Sequence, residues 1–158
     1  MLFGCAVVRG AYYMRLGLGG GREILARREG AGNEKAESCR FHKSWSGDDC
    51  FLRGKVGREV SIEQGQAAFR ACALNVLAQA KQILGSLDRV SGILKLVGYL
   101  CGVDGFVEHA KVLNGALEFF VEALGPERGA HTRVVMGVQS LPLGTPVALE
   151  VTMEIMQG

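Results

Sequence analysis

Several features that often reveal a function are scarce in this sequence. Its 158 residues contain three prolines, one tryptophan and five cysteines, and no two cysteines have the C-x-x-C spacing. An odd cysteine count in a chain of this length and apolar content argues against a disulfide framework, so we expect a reduced, cytoplasmic protein. No apolar run reaches the roughly 20 residues of a membrane-spanning helix. We therefore expect no membrane partner.

Net charge is also small. Lys plus Arg number 18 and Asp plus Glu number 16, so the formal net charge is only +2. The bulk positive charge that attracts nucleic acids is absent, and we expect no nucleic-acid partner. The charge is nevertheless uneven, since residues 1–60 have 11 basic and 7 acidic side chains whereas residues 61–158 have 7 and 9. This shift divides the chain into two parts, which we interpret separately.

The N-terminal part lacks the regular patterns of helices and strands, and we interpret residues 1–53 as an atypical, poorly determined segment. Its glycine-rich run at residues 17–21 is not followed by the Gly-Lys-Ser/Thr of a phosphate-binding loop, so we interpret it as flexible backbone. Cys39, His42 and Cys50 match no standard zinc spacing and lack a fourth ligand. We predict no metal site.

The remainder, residues 54–158, has the periodicity of a folded domain. Ser61 and Gln64 are spaced as in a capping box, in which each side chain accepts a hydrogen bond from the backbone N–H of the other residue. Alanine and leucine at helical spacing follow them. Together these signals predict an amphipathic helix over residues 62–84 that ends at Gly85.

A strand and a second helix are expected next. The continuous apolar run at residues 93–100 predicts a central strand that is buried on both faces of a sheet. Asp104 is expected to cap a helix over residues 106–124, which ends at Gly125.

Two further strands complete the predicted order of elements. Apolar and polar residues alternate at residues 131–138 and 147–155, on either side of a turn at residues 141–144. The order α-β-α-β-β fits the α/β or α+β class, as a mixed sheet with two helices on one face. Three strands leave one sheet edge and much of one sheet face uncovered. Either residues 1–60 supply further strands, with residues 56–60 and 50–52 as the local candidates, or partner chains complete the structure.

Short motifs occur in a fixed order over residues 54–155. They are G-K-V-G-R-E-V-S at 54–61, L-N-V-L at 74–77, G-S-L-D-R-V at 85–90, V-L-N-G-A at 112–116, G-P at 125–126, H-T-R-V-V-M-G-V at 131–138, L-P-L-G at 141–144, and Glu150. In this order they resemble the RidA family, also called the YjgF/YER057c/UK114 or endoribonuclease L-PSP-like family. The resemblance is closest to the subgroup with a His-x-Arg strand and a Leu-Pro-Leu-Gly turn.

The resemblance implies a fold and an activity. The fold would be the chorismate-mutase-like sandwich, assembled as a homotrimer with three clefts between subunits. The activity would be the hydrolysis of reactive enamines and imines, such as 2-aminoacrylate, to 2-keto acids and ammonia, without a cofactor. One alternative is a non-catalytic trimeric module that binds small carboxylates. Ribonuclease activity is another, but the acidic balance of residues 61–158 argues against it.

The resemblance also assigns roles to individual side chains. Arg133 would bind the substrate carboxylate in a bidentate manner, Glu150 would position the attacking water, and Asn114 would lie near the cleft. From the residues alone, Arg133 is as compatible with a structural ion pair, Glu150 with solvent exposure or a pair with Arg133, and Asn114 with a backbone cap. We assign the other candidates to structural roles: His131 to the surface or an interface, His109 to solvent, and Tyr99 and Phe119 to the core.

Some positions depart from the family pattern. Family members have a Ser-Gly-Gln-Leu/Ile-Pro motif in an N-terminal hairpin that lines the cleft. Here only Ser46 and Gly47 match it, and two aspartates follow them. Val135 stands where many members have cysteine, and Ala148 replaces a common acid. The hairpin is therefore predicted to be atypical or missing, as a frameshift or a mis-set start of the coding sequence would produce.

Overall fold

The structure is a computed structural model, which describes residues 3–5, 11–18, 22–29 and 52–156. The predictions made for Cys39, His42 and Cys50, and those made for Ser46 and Gly47, lie outside the described residues.

The N-terminal part supplies three strands. They are β1 (Phe3–Cys5), β2 (Ala11–Leu18) and β3 (Arg22–Glu29). Strands β2 and β3 pair as an antiparallel hairpin, and β1 pairs antiparallel with β2. Gly17 and Leu18 belong to β2, so the interpretation of the glycine-rich run as flexible backbone is wrong for these two residues.

Helix α1 (Ile62–Leu84) has the predicted bounds. The Ser61 hydroxyl accepts a hydrogen bond from the Gln64 N–H at 3.2 Å, and the Gln64 side-chain oxygen accepts one from the Ser61 N–H at 2.9 Å. The helix ends at Gly85, which has a φ of 81° that residues with a side chain rarely adopt. Local sequence signals therefore determine both ends of α1.

Strand β4 (Val90–Leu100) follows a short 3₁₀ turn. Leu96 and Leu100 are fully buried, as predicted for a central strand. Leu94 and Lys95 are exposed, however, because the ladder with the last strand has an irregularity in register at this point. The prediction of burial on both faces is therefore wrong at these two residues.

Helix α2 (His109–Leu124) begins later than predicted. Asp104 and Gly105 form a turn in which Gly105 has a φ of 77°, and this turn delays the helix. Glu108 is the N-cap residue and makes no side-chain capping bond, so the prediction that Asp104 caps this helix is wrong. The helix ends at Gly125 as predicted.

The C-terminal elements follow the predicted order. The one-turn helix α3 (Pro126–Gly129) leads to β5 (Thr132–Gly137), and a 3₁₀ turn at Pro142–Gly144 leads to β6 (Val147–Ile155). The predicted alternation of β6 is confirmed from Leu149 onwards. One face has the buried side chains Val147, Leu149, Val151, Met153 and Ile155, and on the other face only Ala148, near the start of the strand, is buried as well.

The six strands form one mixed sheet in the order β3-β2-β1-β6-β4-β5. Strand β6 pairs antiparallel with both β1 and β4, and β5 pairs parallel with β4 at the edge. Residues 1–60 thus supply further strands, which was one of the two alternatives. Of the two local candidates, residues 56–60 are wrong, since Val56 and Val60 form isolated bridges and no strand. Residues 50 and 51 of the other candidate lie outside the described residues.

Both long helices cover the same face of the sheet. A Cβ atom added to Gly98 of β4 would lie 2.8 Å from a Leu113 carbon of α2 and 3.2 Å from a Phe69 carbon of α1. The mixed sheet with two helices on one face is therefore confirmed. We call this side the helix face. The opposite side, which Val97 and Tyr99 of β4 share, we call the outer face.

Candidate active site

Arg133 lies in the middle of the edge strand β5. Its Cα partner on β4 is Leu96, which is fully buried beneath the helices, so Arg133 also points to the helix face. Its guanidinium donates a hydrogen bond through Nη1 to the side-chain oxygen of Asn114 on α2. The structure therefore brings together two of the three predicted site residues.

The rest of the Arg133 guanidinium is available to a ligand. The side chain is exposed, and no carboxylate pairs with it among the residues that the structure describes. Guanidinium has five N–H donors in a planar fork. Asn114 takes one of them and restricts the plane of the group. The remaining donors match the two oxygens of a small carboxylate.

Glu150 is placed differently. Its Cα partner on β4 is Val97, so Glu150 points to the outer face. The Tyr99 hydroxyl donates a hydrogen bond to Oε2 of Glu150 at 3.0 Å. Arg133 and Glu150 thus lie on opposite faces of the sheet within one chain, and they do not form an ion pair with each other.

Tyr99 is half-buried on the outer face. Burial raises the pKa of its phenol, and the hydrogen bond to Glu150 raises it further. The phenol therefore remains protonated at neutral pH and acts as a donor. The assignment of Tyr99 to the core misses this polar contact with Glu150.

His131 precedes β5 and supports its first residues. Its Nδ1 atom lies 2.5 Å from the Gly129 carbonyl oxygen, and its ring packs edge-on against Phe120 at 6.3 Å. Burial lowers the pKa of His131, and the positive charge of Arg133 adds to this effect. Its Nε2 atom is buried and has no hydrogen-bond partner among the described residues. His131 therefore contributes as a neutral ring that packs against Phe120 at the start of β5.

This environment predicts that the protein loses stability in mild acid. Below the ordinary His pKa of 6.5, the unfolded chain binds a proton that the folded chain does not yet accept, so the free energy of unfolding decreases as the pH falls. Urea unfolding of the wild type at pH 7.5 and 5.5 measures the decrease. His131→Gln, which stays neutral, is expected to show a smaller decrease. An equal decrease in the variant would contradict the assignment.

The family follows from a comparison with known proteins. Residues 32–154 match the model of a family described as "YjgF/chorismate_mutase-like, putative endoribonuclease". This range is more than half of the chain. The chain belongs to this family. The predicted membership of the RidA (YjgF) family and the chorismate-mutase-like fold are both confirmed, and the matched range begins upstream of residue 54, where we placed the domain boundary.

Individual relatives agree with this result. Protein TCP17 of Trypanosoma cruzi is 38% identical over 104 residues, which are 66% of this chain and 65% of TCP17. This chain thus matches less than two thirds of that relative's length. Among solved structures, Agrobacterium tumefaciens protein Atu1372, whose function is described as unknown, is 35% identical over 70% of this chain and 71% of its own, with a TM-score of 0.65. A Shewanella oneidensis protein with the same endoribonuclease description is 32% identical over 70% and 72%, with a TM-score of 0.64.

Two further aromatic contacts involve residues of α2. His109, which we expected in solvent, is half-buried, and its ring packs edge-on against Phe106 at 5.2 Å. It also lies over Gly137 of β5, where a Cβ atom would be 2.8 Å from His109 Nε2. The glycine at the end of β5 is the sequence signal for this close approach. Phe119 packs against the core as predicted, and the Arg70 guanidinium lies 4.9 Å from its ring centre.

In the part of the chain that the structure describes, no cluster of three or more His, Cys, Asp or Glu side chains is suited to hold a metal ion. No helix among the described residues is long and apolar enough to cross a membrane.

Proposed function

We propose that this protein hydrolyses small reactive enamines and imines of the 2-aminoacrylate type to 2-keto acids and ammonia. The observation that carries the proposal is the Arg133 guanidinium, which is exposed on an edge strand, oriented by Asn114, and without a carboxylate partner among the described residues. Family membership supports the same assignment, because the RidA family, which this chain resembles in sequence, includes deaminases of this kind.

The chemistry requires few protein groups. An enamine of this type tautomerises to an imine, whose carbon is electrophilic. Water adds to that carbon, a proton moves to the nitrogen, and the carbon–nitrogen bond of the resulting aminoalcohol breaks to release ammonia and the keto acid. Arg133 would hold the substrate carboxylate, and Glu150 would orient the water and accept its proton. No step requires a cofactor.

A homotrimer with clefts between subunits completes this proposal. Arg133 and Glu150 lie on opposite faces of the sheet, so the Arg133 of one protomer would act with the Glu150 of another. Apolar residues on the outer face of the edge strand β5 support such packing, because Val134 and Met136 are 46% and 43% exposed in the single chain. Exposed apolar side chains next to each other on a sheet face are typical of an interface.

The alternative is a non-catalytic module that binds small carboxylates through the same Arg133 and Asn114. This module would form the same homotrimer and would bind the same class of small carboxylate. The departures from the family pattern at Ala148 and in the N-terminal hairpin favour this alternative.

For either function we propose a cytoplasmic location. The odd number of cysteines supports this location. The buried Cys101 thiol, which donates a hydrogen bond to the Gln139 carbonyl at 3.4 Å, supports it as well.

The test uses the full-length chain and imines that an amino-acid oxidase releases in solution. The protein is expected to accelerate the formation of both keto acid and ammonia in a one-to-one ratio. Keto-acid binding in calorimetry without any acceleration would instead support the binding module. Cleavage of RNA without any effect on imines would contradict both proposals and support the endoribonuclease description of the family.

A further inference from the structure

The outer face contains a hydrogen-bonded pair, Tyr99 and Glu150, of which only Glu150 is a predicted site residue. Tyr99 of β4 lies opposite Ala148 of β6, and Glu150 lies opposite Val97, so the tyrosine and the glutamate are diagonal neighbours on antiparallel strands. Diagonal neighbours are within reach of an aromatic side chain. Ala148 has a small side chain, which leaves room for the Tyr99 ring to lean towards Glu150, and the 3.0 Å hydrogen bond results.

The hydrogen bond restricts the Glu150 carboxylate. A glutamate side chain on a sheet surface ordinarily samples several rotamers, and ordering it costs conformational entropy. The Tyr99 hydroxyl binds Oε2, and no protein donor binds Oε1 among the described residues. The raised pKa of Tyr99 keeps the phenol protonated over the whole physiological range, so the donor is always present.

We propose that Tyr99 is a positioning residue for Glu150. It holds one carboxylate oxygen, so that the other is directed at the water that attacks the imine. This inference rests on the proposed function, because it assigns Tyr99 a role in the reaction that Glu150 performs. Tyr99 itself does not contact the substrate, and its removal changes the rate of the chemical step without changing how the carboxylate of the substrate is bound.

Tyr99→Phe tests the inference, because it removes one hydroxyl and keeps the ring and its packing. A hydrogen bond to a charged group contributes enough to change a rate by about tenfold or more. We therefore expect kcat to decrease about tenfold in the full-length protein, with a KM within about twofold of the wild type. The same substitution in a Glu150→Gln background is expected to have no further effect on kcat, because the group that Tyr99 positions is no longer a carboxylate.

Ser91→Ala is the matched control. The Ser91 hydroxyl donates to Glu154 Oε2 at 2.9 Å, which is also a hydroxyl–carboxylate bond between β4 and β6. This variant is expected to keep the wild-type kcat, and circular dichroism melts compare the folding of all variants.

Two results would overturn the positioning role while leaving the proposed function intact. One is a wild-type kcat in Tyr99→Phe. The other is the same proportional loss in the Glu150→Gln background as in the wild type, which would indicate a general structural effect. A wild-type protein that does not accelerate imine hydrolysis would overturn the proposed function and the role of Tyr99 together.

Discussion

Replacement of Arg133 by alanine is expected to lower kcat/KM for imine hydrolysis by about 100-fold or more. The reason is the loss of a bidentate, charge-assisted contact with the substrate carboxylate, since each such hydrogen bond contributes about 1.5–3 kcal/mol and each 1.4 kcal/mol corresponds to a factor of ten. Arg133 is exposed and is not part of the buried core, so the variant is expected to fold. Initial rates of keto-acid release at several substrate concentrations provide the measurement.

Two further variants separate the geometry of the guanidinium from its charge. Arg133→Lys keeps the positive charge but loses the planar fork, and an intermediate loss of about tenfold is expected. Arg70→Ala is the matched control, because Arg70 is also an exposed arginine. Its guanidinium lies near the Phe119 ring and forms a 2.7 Å ion pair with Glu122 on the surface of the helix layer. Its activity should equal that of the wild type. Unchanged turnover in Arg133→Ala would refute the carboxylate-binding role.

The elements predicted correctly are those with local signals. Helix α1 is bounded by the Ser61–Gln64 capping box and by Gly85, all of which are visible within a few residues of sequence. The alternation of β6 is equally local. The predicted start of α2 is three residues too early. The apolar residues after Gly105 favour a helix that begins at residue 106, whereas the turn at Gly105 delays its start to His109.

The N-terminal strands could not be predicted in the same way. Strand β1 pairs with β6, which is more than 140 residues away in the sequence, and strand formation depends on such partners more than on the residues of the strand itself. The sequence contains no signal for this pairing. For this reason the first part of the chain was interpreted as poorly determined, although it contains three paired strands.

The sequence indicates which residues form the candidate site, but it does not indicate how they are arranged in space. The family motifs indicated Arg133, Asn114 and Glu150, and the first two are in contact. That Arg133 and Glu150 point to opposite faces follows only from the registers of β5 and β6 with β4. The Tyr99–Glu150 hydrogen bond joins residues that are 51 positions apart, so no sequence pattern reveals it.

The largest expected effect on stability is that of Phe120→Ala. Phe120 of α2 is fully buried between the two helices and the sheet, and its ring contacts those of Phe119 and His131 edge-on at 6.2 Å and 6.3 Å. Truncation of a buried phenylalanine leaves a cavity and costs about 3–5 kcal/mol. Urea unfolding at pH 7.5, with m compared between the variants, measures the loss. For a protein of ordinary stability this is a large fraction of the total.

Phe119→Ala provides the comparison within the same helix. Phe119 is only partly buried, so less apolar surface is lost and its truncation is expected to cost clearly less than that of Phe120. Equal effects of the two substitutions would contradict the placement of Phe120 in the core.

The cavity in Phe120→Ala is also expected to loosen the start of β5, because the His131 ring packs on Phe120 and His131 lies two residues before Arg133. The variant is therefore expected to bind small keto acids more weakly even at temperatures at which it remains folded.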